Sequence, residues 1–144
     1  MKLTTAALLA GFALTATALY AAERTDPNAI AREQLMETVG KNTKVLGDMA
    51  GGKAAFDAAA AEAAKAGLME AAAKIPATFE TQGAADPADE AKPEIWANWD
   101  DFTKKAGALE AAATALDASS LEAVQAGMGA IGGACKDCHT SYRM

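Results

Sequence analysis

The sequence GGACKDCHTSYRM, Gly132–Met144, holds both cysteines and the only histidine of this 144-residue chain. Cys135 and Cys138 are three residues apart, and His139 follows directly. On a helix, residues three or four positions apart lie on one face, so the two thiols and the imidazole project from the same surface. The segment therefore predicts one site that uses all three side chains.

The pattern C-x-x-C-H is typical of covalent attachment of c-type haem, in which two thiols join the vinyl groups and the histidine binds the iron. A thioredoxin-like redox pair would instead begin a helix that follows a strand. A structural zinc ion needs four protein ligands, and a disulfide has poor geometry between such positions of a helix, although the spacing does not exclude it. We predict one haem c, attached through Cys135 and Cys138 with His139 as proximal ligand.

The N-terminal residues have the layout of a secretory signal peptide. Lys2 is followed by an apolar stretch from Ala6 to Leu19 and then by small residues. The apolar stretch is shorter than the roughly 20 residues of a membrane-spanning helix. We therefore predict a cleaved leader over residues 1–22, a periplasmic domain over residues 23–144, and no membrane association after cleavage.

The chain is acidic, with 19 Asp and Glu residues against 13 Lys and Arg and a net charge of −6. No basic cluster is present, so neither nucleic acid nor an anionic membrane surface is an expected partner. An acidic surface favours docking to a basic protein, which fits a redox partner.

Helix-capping and helix-breaking residues divide residues 23–144 into four predicted helical segments. Asp26 with Pro27 predicts the first helix, which ends at Gly51-Gly52. Three further segments are predicted: 53–74, stopped by Pro76; 93–116, opened by Pro93; and a last one begun by a capping box of Ser119 with Glu122.

The helices carry apolar residues at alternating steps of three and four. The third and fourth segments do so without a fault, and the pattern predicts an all-α, antiparallel up-down-up-down four-helix bundle. The inward positions of these two segments are Ile95, Trp99, Phe102, Ala106, Leu109, Ala113, Leu116, Leu121, Val124, Met128, Ile131, Cys135, Cys138 and Tyr142.

The predicted core has little volume, because alanine dominates it and aromatic residues are few. The fourth helix also holds Gly127, Gly129, Gly132 and Gly133, each costing roughly 1 kcal/mol against alanine in a helix. Either two helices approach closely there, or a bulky flat group lies against that face. A large apolar cofactor would supply the missing volume.

The single histidine limits the iron's second axial ligand, because bis-histidine ligation is impossible within one chain. The second side must carry a methionine, a weaker ligand such as water, or nothing. The candidate sulfurs belong to Met36, Met49, Met69, Met128 and Met144.

The chain resembles the class II c-type cytochromes, the group of cytochrome c′ and its low-spin relatives such as cytochrome c-556. The resemblance covers Pro27 to Arg143. It rests on AREQLMETVGKN in the first helix, KPEIWANWDDF at the start of the third, and GGACKDCHTSYR at the end.

This resemblance implies further site residues. Arg32 would contact a haem propionate, and Met36 would cover or ligate the distal face of the iron. Arg143 would shield the proximal imidazole or pair with a propionate. From the residues alone, Arg32 reads equally as a solvated charge, Met36 as core and Arg143 as a helix-end cation.

Two functions follow from this resemblance. The first is a periplasmic one-electron carrier with His139 and Met36 as axial ligands. The second is a five-coordinate protein that binds nitric oxide or carbon monoxide. An enzymatic role is not expected, because no distal histidine is available for acid–base chemistry. Family members often dimerise through their first two helices, and the alanine-rich second helix is compatible with a homodimer or a monomer.

Overall fold

The computed structural model describes residues 23–144, and the predicted signal peptide lies outside these residues. The described part is helical and contains no strand. Its helices are α1 (Pro27–Ala50), α2 (Ala58–Ala73), α3 (Ile75–Phe79), α4 (Glu94–Ala97), α5 (Trp99–Ala115) and α6 (Leu121–Tyr142).

The four long helices form the predicted antiparallel bundle. α1 packs on α2 and α6, and α5 packs on the same two helices, so each long helix has two neighbours. Tyr142 at the end of α6 contacts Asp101 at the start of α5. Gln125 at the start of α6 donates to the carbonyl of Ala50 at the end of α1. Among residues 23–144, no helix combines the length and apolarity that a membrane span requires.

The start of α1 was predicted correctly. Asp26 is the N-cap, and its carboxylate accepts hydrogen bonds from the amides of Asn28 and Ala29. Pro27 follows in the first turn, where its missing N–H leaves no helical bond unmade.

The second predicted segment begins later than predicted, while its end near Lys74 was predicted correctly. α2 begins at Ala58, after Asp57 as N-cap, rather than at Lys53. Pro76 does not end helical structure. The chain turns at Lys74 and enters α3, in which Pro76 occupies the first turn. Proline is tolerated there, because a first-turn amide has no intrahelical acceptor.

The third segment is interrupted at Asn98, which separates α4 from α5. Both the backbone amide and the side-chain amide of Asn98 donate to the carbonyl of Glu94, at 2.9 and 3.0 Å. Asparagine side chains compete with the helical ladder in this way. The predicted continuous helix 93–116 is therefore wrong at this residue.

The predicted capping box of α6 is also wrong by one residue. Ser120, not Ser119, is the N-cap, and its hydroxyl accepts from the amide of Ala123 at 3.2 Å. The amide of Ser119 instead donates to the Asp117 carboxylate. Because the two serines are adjacent, the sequence is compatible with either one as the N-cap of α6.

The core follows the predicted apolar positions. All predicted inward residues of the third segment except Trp99 are buried. Val124, Ile131 and Tyr142 of α6 are buried as well. Met128, Cys135 and Cys138 are only half-buried. These three residues face a cavity rather than another helix.

Gly127 marks the closest approach of α6 to the end of α5. A side-chain Cβ at this position would overlap the Leu116 side chain. We expect Gly127→Val to lower the free energy of unfolding by about 1–3 kcal/mol, because Leu116 is buried and cannot yield without strain. Urea denaturation of the haem-loaded protein measures this.

The matched control is Gly129→Ala in the same helix. No heavy atom lies within 4 Å of its Cβ position, so alanine should raise stability by up to about 1 kcal/mol. Equal stability of the two variants would contradict the close packing of Gly127 on Leu116.

Candidate haem site

A single large cavity of about 710 Å³ lies between α1, α5 and α6. Its size lies within the range of small-molecule and cofactor sites. Apolar side chains of α3, α4 and α5 form its back wall: Ile75, Phe79, Ile95, Phe102, Ala106 and Leu109. The underfilled core predicted from the alanine content corresponds to this cavity at one end of the bundle.

The α6 wall of the cavity contains Cys135, Cys138 and His139. Both cysteines are half-buried and form no disulfide within the described residues, and His139 lies at the rim with part of its surface exposed. The three predicted residues thus line one cavity, as their spacing on a helix requires.

The α1 wall presents Met36, Gly40, Thr43 and Gly47 at successive turns. Nothing lies within 4 Å of a Cβ built on Gly40, and at Gly47 only the Met128 methyl does, at 3.7 Å. This wall is therefore smooth beyond Met36, and it leaves room for a broad, flat group.

Arg32, one turn before Met36, is only 2% exposed, so its interpretation as a solvated charge is wrong. Its guanidinium donates to Asp89 at 2.5 Å and to the carbonyls of Thr81 and Gln82 at 3.0 and 3.1 Å. Its Nε is buried without a hydrogen-bond partner in the described part of the chain. Arg32 also lines the cavity, although protein atoms cover this Nε.

The rings of Phe79 and Trp96 flank the Arg32 guanidinium, with centroids 5.7 and 5.3 Å from its central carbon. Such contacts with the faces of aromatic rings stabilise a cation. The Trp96 indole donates to the Phe79 carbonyl at 2.8 Å, which holds this arrangement together.

A segment that we call the collar, residues 80–92, closes this end of the cavity. Its Asp89, Glu90 and Ala91 line the cavity. Arg143 pairs with Glu90 at 2.6 Å, and the chain around Arg143 forms a single antiparallel bridge with Ala91. Arg143 therefore holds the collar to the end of α6 while lying four residues after His139.

Two carboxylates hold the collar to the start of α1. Asp86 accepts from the amides of Thr25 and Asp26 at 2.6 and 2.9 Å, and Asp26 accepts from the amide of Ala84 at 3.0 Å. These backbone donors lower the pKa of both Asp26 and Asp86 below the ordinary value of 3.8.

A pKa lowered in the folded state contributes stability that is present above the ordinary value and lost as pH falls through the folded value. We therefore expect the collar to open more readily below about pH 4. The measurement is the rate of limited proteolysis within residues 80–92 by an acid-active protease. Asp86→Asn should speed cleavage already at neutral pH, checked with a neutral protease. Asp100→Asn, which removes a carboxylate remote from the collar, should not. Equal cleavage of the two variants would refute the role of Asp86.

Residues 28–143 match the family described as Cytochrome C′. The chain belongs to the cytochrome c′ family, the class II c-type cytochromes. A cytochrome c-556 of Agrobacterium tumefaciens (strain apple 185) is 39% identical over 119 residues, which are 79% of this chain and 92% of the relative.

Solved structures show the same bundle. Cytochrome c′ from Rhodobacter Spheriodes aligns with a TM-score of 0.73 and 30% identity, over 81% of this chain and 95% of its own. A nitric oxide complex of a cytochrome c prime mutant from Alcaligenes xylosoxidans aligns with a TM-score of 0.71 and 27% identity, over 81% and 93%. The predicted family, fold and cofactor are confirmed: this class II cytochrome binds haem c.

The cavity of this cytochrome fits haem c in both shape and chemistry. The glycines of α1 form a flat wall opposite the two thiols, and the apolar back wall suits a macrocycle. The positive guanidinium of Arg32, a lining residue, suits an anionic substituent such as a propionate.

Burial shifts the pKa of all three α6 side chains of the site. Burial raises the pKa of both cysteines, that of Cys138 to about 11. Reactive thioredoxin-like pairs instead need a lowered pKa. Burial and the positive charge of Arg143 lower the pKa of His139, although Glu90 opposes this. His139 is therefore neutral at pH 7, the form that binds a metal.

Several lining residues were not singled out from the sequence as site residues. Tyr142 donates to Asp101 at 2.6 Å, which raises its pKa to about 12, and its ring meets Phe102 edge-on. Its position four residues after Cys138 could have indicated a place beside the cofactor. Asp89 and Glu90 carried no such signal, because the collar has no periodicity.

Proposed function

We propose that this cytochrome is a periplasmic one-electron carrier rather than an enzyme. The observation that carries the proposal is the convergence on one cavity of Cys135, Cys138 and His139 from α6 and of Met36 from α1. Haem c supplies a ferric/ferrous couple, and the protein tunes it by axial ligation and burial.

Each residue has a proposed role. Cys135 and Cys138 form the thioethers, and His139 is the proximal ligand. Met36 lines the same cavity from α1, and its thioether would bind the iron and favour the reduced state. The positive charge of Arg32 would attract a propionate, as the family resemblance implies, and Arg143 holds the collar beside His139.

The positions of the other methionines support Met36 as the second ligand of the iron. Among the methionines of the described chain, only Met36 and Met128 line the cavity. Met128 lies on α6, the same helix as His139. Its methyl group is near Gly47, at the inner end of the cavity. An axial ligand opposite His139 should come from another helix.

Visible spectra of the purified protein, oxidised and reduced, test this function. We expect low-spin haem in both states and a reversible one-electron titration. A high-spin five-coordinate spectrum would exclude Met36 as ligand. Failure to cycle between the two states would exclude the carrier.

A second candidate function is binding of nitric oxide or carbon monoxide. The specific support is the similarity to the nitric oxide complex of a cytochrome c prime mutant. Carbon monoxide added to the reduced protein at neutral pH should then change the spectrum within the mixing time. An unchanged spectrum would exclude this candidate under those conditions.

Location and assembly complete the proposal. The signal-peptide layout of residues 1–22 and the family membership support export to the periplasm, which fractionation of the host cell would test. Redox partner proteins are the proposed partners. A homodimer through α1 and α2 stays a prediction, for which sedimentation velocity is the measurement.

A further inference from the structure

A shallow, open surface cleft lies at the junction of α4 and α5, outside the haem cavity. Trp96, Asn98, Trp99, Asp100 and Asp101 line a surface cleft of about 450 Å³. The break at Asn98 creates this cleft, because it separates two helical turns that each carry an indole. Both tryptophans are half-buried, so part of each indole remains accessible.

The cleft is one aromatic contact away from the haem cavity. Trp99 stacks on Phe102 with ring centroids 5.5 Å apart and planes inclined by 28°. Phe102 is buried, and it meets the Tyr142 ring at 5.5 Å. Because Phe102 and Tyr142 both line the haem cavity, the stack Trp99–Phe102 joins the cleft to the cofactor site.

The charged residues that line the cleft, Asp100 and Asp101, are both negative, and the nearest exposed lysine on α5 is Lys104, one turn after Asp100. Glu94 and Asp100 are exposed, and neither forms an ion pair within the described residues. Asp101 is shared between the Tyr142 hydroxyl and Lys105. Carboxylates beside an accessible indole favour a cation, through Coulomb attraction and through the face of the ring.

We propose that the α4–α5 cleft is where a basic electron-transfer partner docks, with a lysine or arginine side chain entering between the carboxylates and the indoles. The Trp99–Phe102 stack then forms the contact through which one electron passes between the haem and the partner. This inference rests on the proposed carrier function, and it names one face of the molecule for that function. The competing route is the cavity mouth, where His139 is exposed.

Stopped-flow oxidation of the reduced, haem-loaded protein tests this proposal. Tris(phenanthroline)cobalt(III), a cationic aromatic complex, accepts one electron from the ferrous haem and becomes cobalt(II). Ferricyanide is the anionic reference oxidant. We expect Trp99→Leu to slow the cobalt reaction by about fivefold at low salt, as loss of one cation–π contact would do. The ferricyanide rate should stay within about twofold, because an anion does not use an acidic cleft.

Matched variants separate the stack from the charge. Trp99→Phe keeps an aromatic ring on Phe102 and should restore most of the cobalt rate. Asp100→Asn should slow the cobalt reaction and flatten its dependence on ionic strength. Glu110→Gln removes the same charge from the same helix, about 15 Å further along α5, and should do neither.

The outcomes distinguish the inference from the function on which it rests. If wild-type protein exchanges electrons with neither oxidant, the carrier function fails. If it exchanges with both, but Trp99→Leu and Asp100→Asn behave like Glu110→Gln, the docking cleft is refuted and the cavity mouth is the route. Equal slowing of both oxidants by Trp99→Leu would also refute the cleft, since it would indicate a general change at the haem.

Discussion

Replacement of both thiols, Cys135→Ala with Cys138→Ala, is expected to give a protein from which acidified acetone extracts all of the haem. The wild type should keep all of its colour in the same treatment, because two thioether bonds survive denaturation. The loss is expected to be complete, since residues 23–144 offer no other cysteine. The measurement is the absorbance of the protein pellet and of the acetone phase.

The double variant should also be less stable, because the cavity of about 710 Å³ would lose its tethered contents. Each single variant should keep one thioether and resist extraction. Met36→Ala is the control, since it alters the cavity without touching a thiol. Extractable colour in the wild type would contradict covalent attachment, and with it the assigned roles of Cys135 and Cys138.

Met36→Leu is expected to convert a low-spin, six-coordinate haem into a high-spin, five-coordinate one. Leucine keeps most of the volume on the α1 wall but has no sulfur to bind iron. The methionine–iron absorption band should vanish completely, and the reduction potential should fall because a thioether favours the ferrous state. Visible and near-infrared spectra with a redox titration measure these changes.

Met128→Leu is the matched control, because Met128 lines the same cavity at its inner end. It should leave the band and the spin state unchanged. Carbon monoxide should bind reduced Met36→Leu faster than the wild type. If the two methionine variants have identical spectra, Met36 covers the haem without ligating it, and the gas-binding function becomes the better description.

The regular parts of the fold could be predicted from local sequence. Asp26 and Pro27 predicted the start of α1, because a cap and a first-turn proline act within four residues. The apolar stripes of the third and fourth segments predicted the bundle, since steps of three and four define one helix face. C-x-x-C-H predicted the cofactor for the same reason, as its three side chains need only one helix.

Errors arose where two local solutions had similar energies. Ser119 and Ser120 are both competent caps, and packing of Leu116 and Ala118 into the core selected Ser120. Pro76 was compatible with the end of one helix or with the first turn of the next. Asn98 interrupts a segment whose apolar spacing is faultless, because its amide competes with the backbone for one carbonyl.

The sequence by itself determined the helical class, the apolar faces and the grouping of Cys135, Cys138 and His139 on one side of a helix, because all of these depend on neighbours along one helix. Only the tertiary structure decided that Arg32 is buried and holds the collar, and that Met36 of α1 lines the same cavity as His139 of α6. It also decided that Trp99 touches the cavity wall through Phe102. Those properties depend on groups from separate helices and from an aperiodic segment, whose relative positions are set by packing and not by spacing.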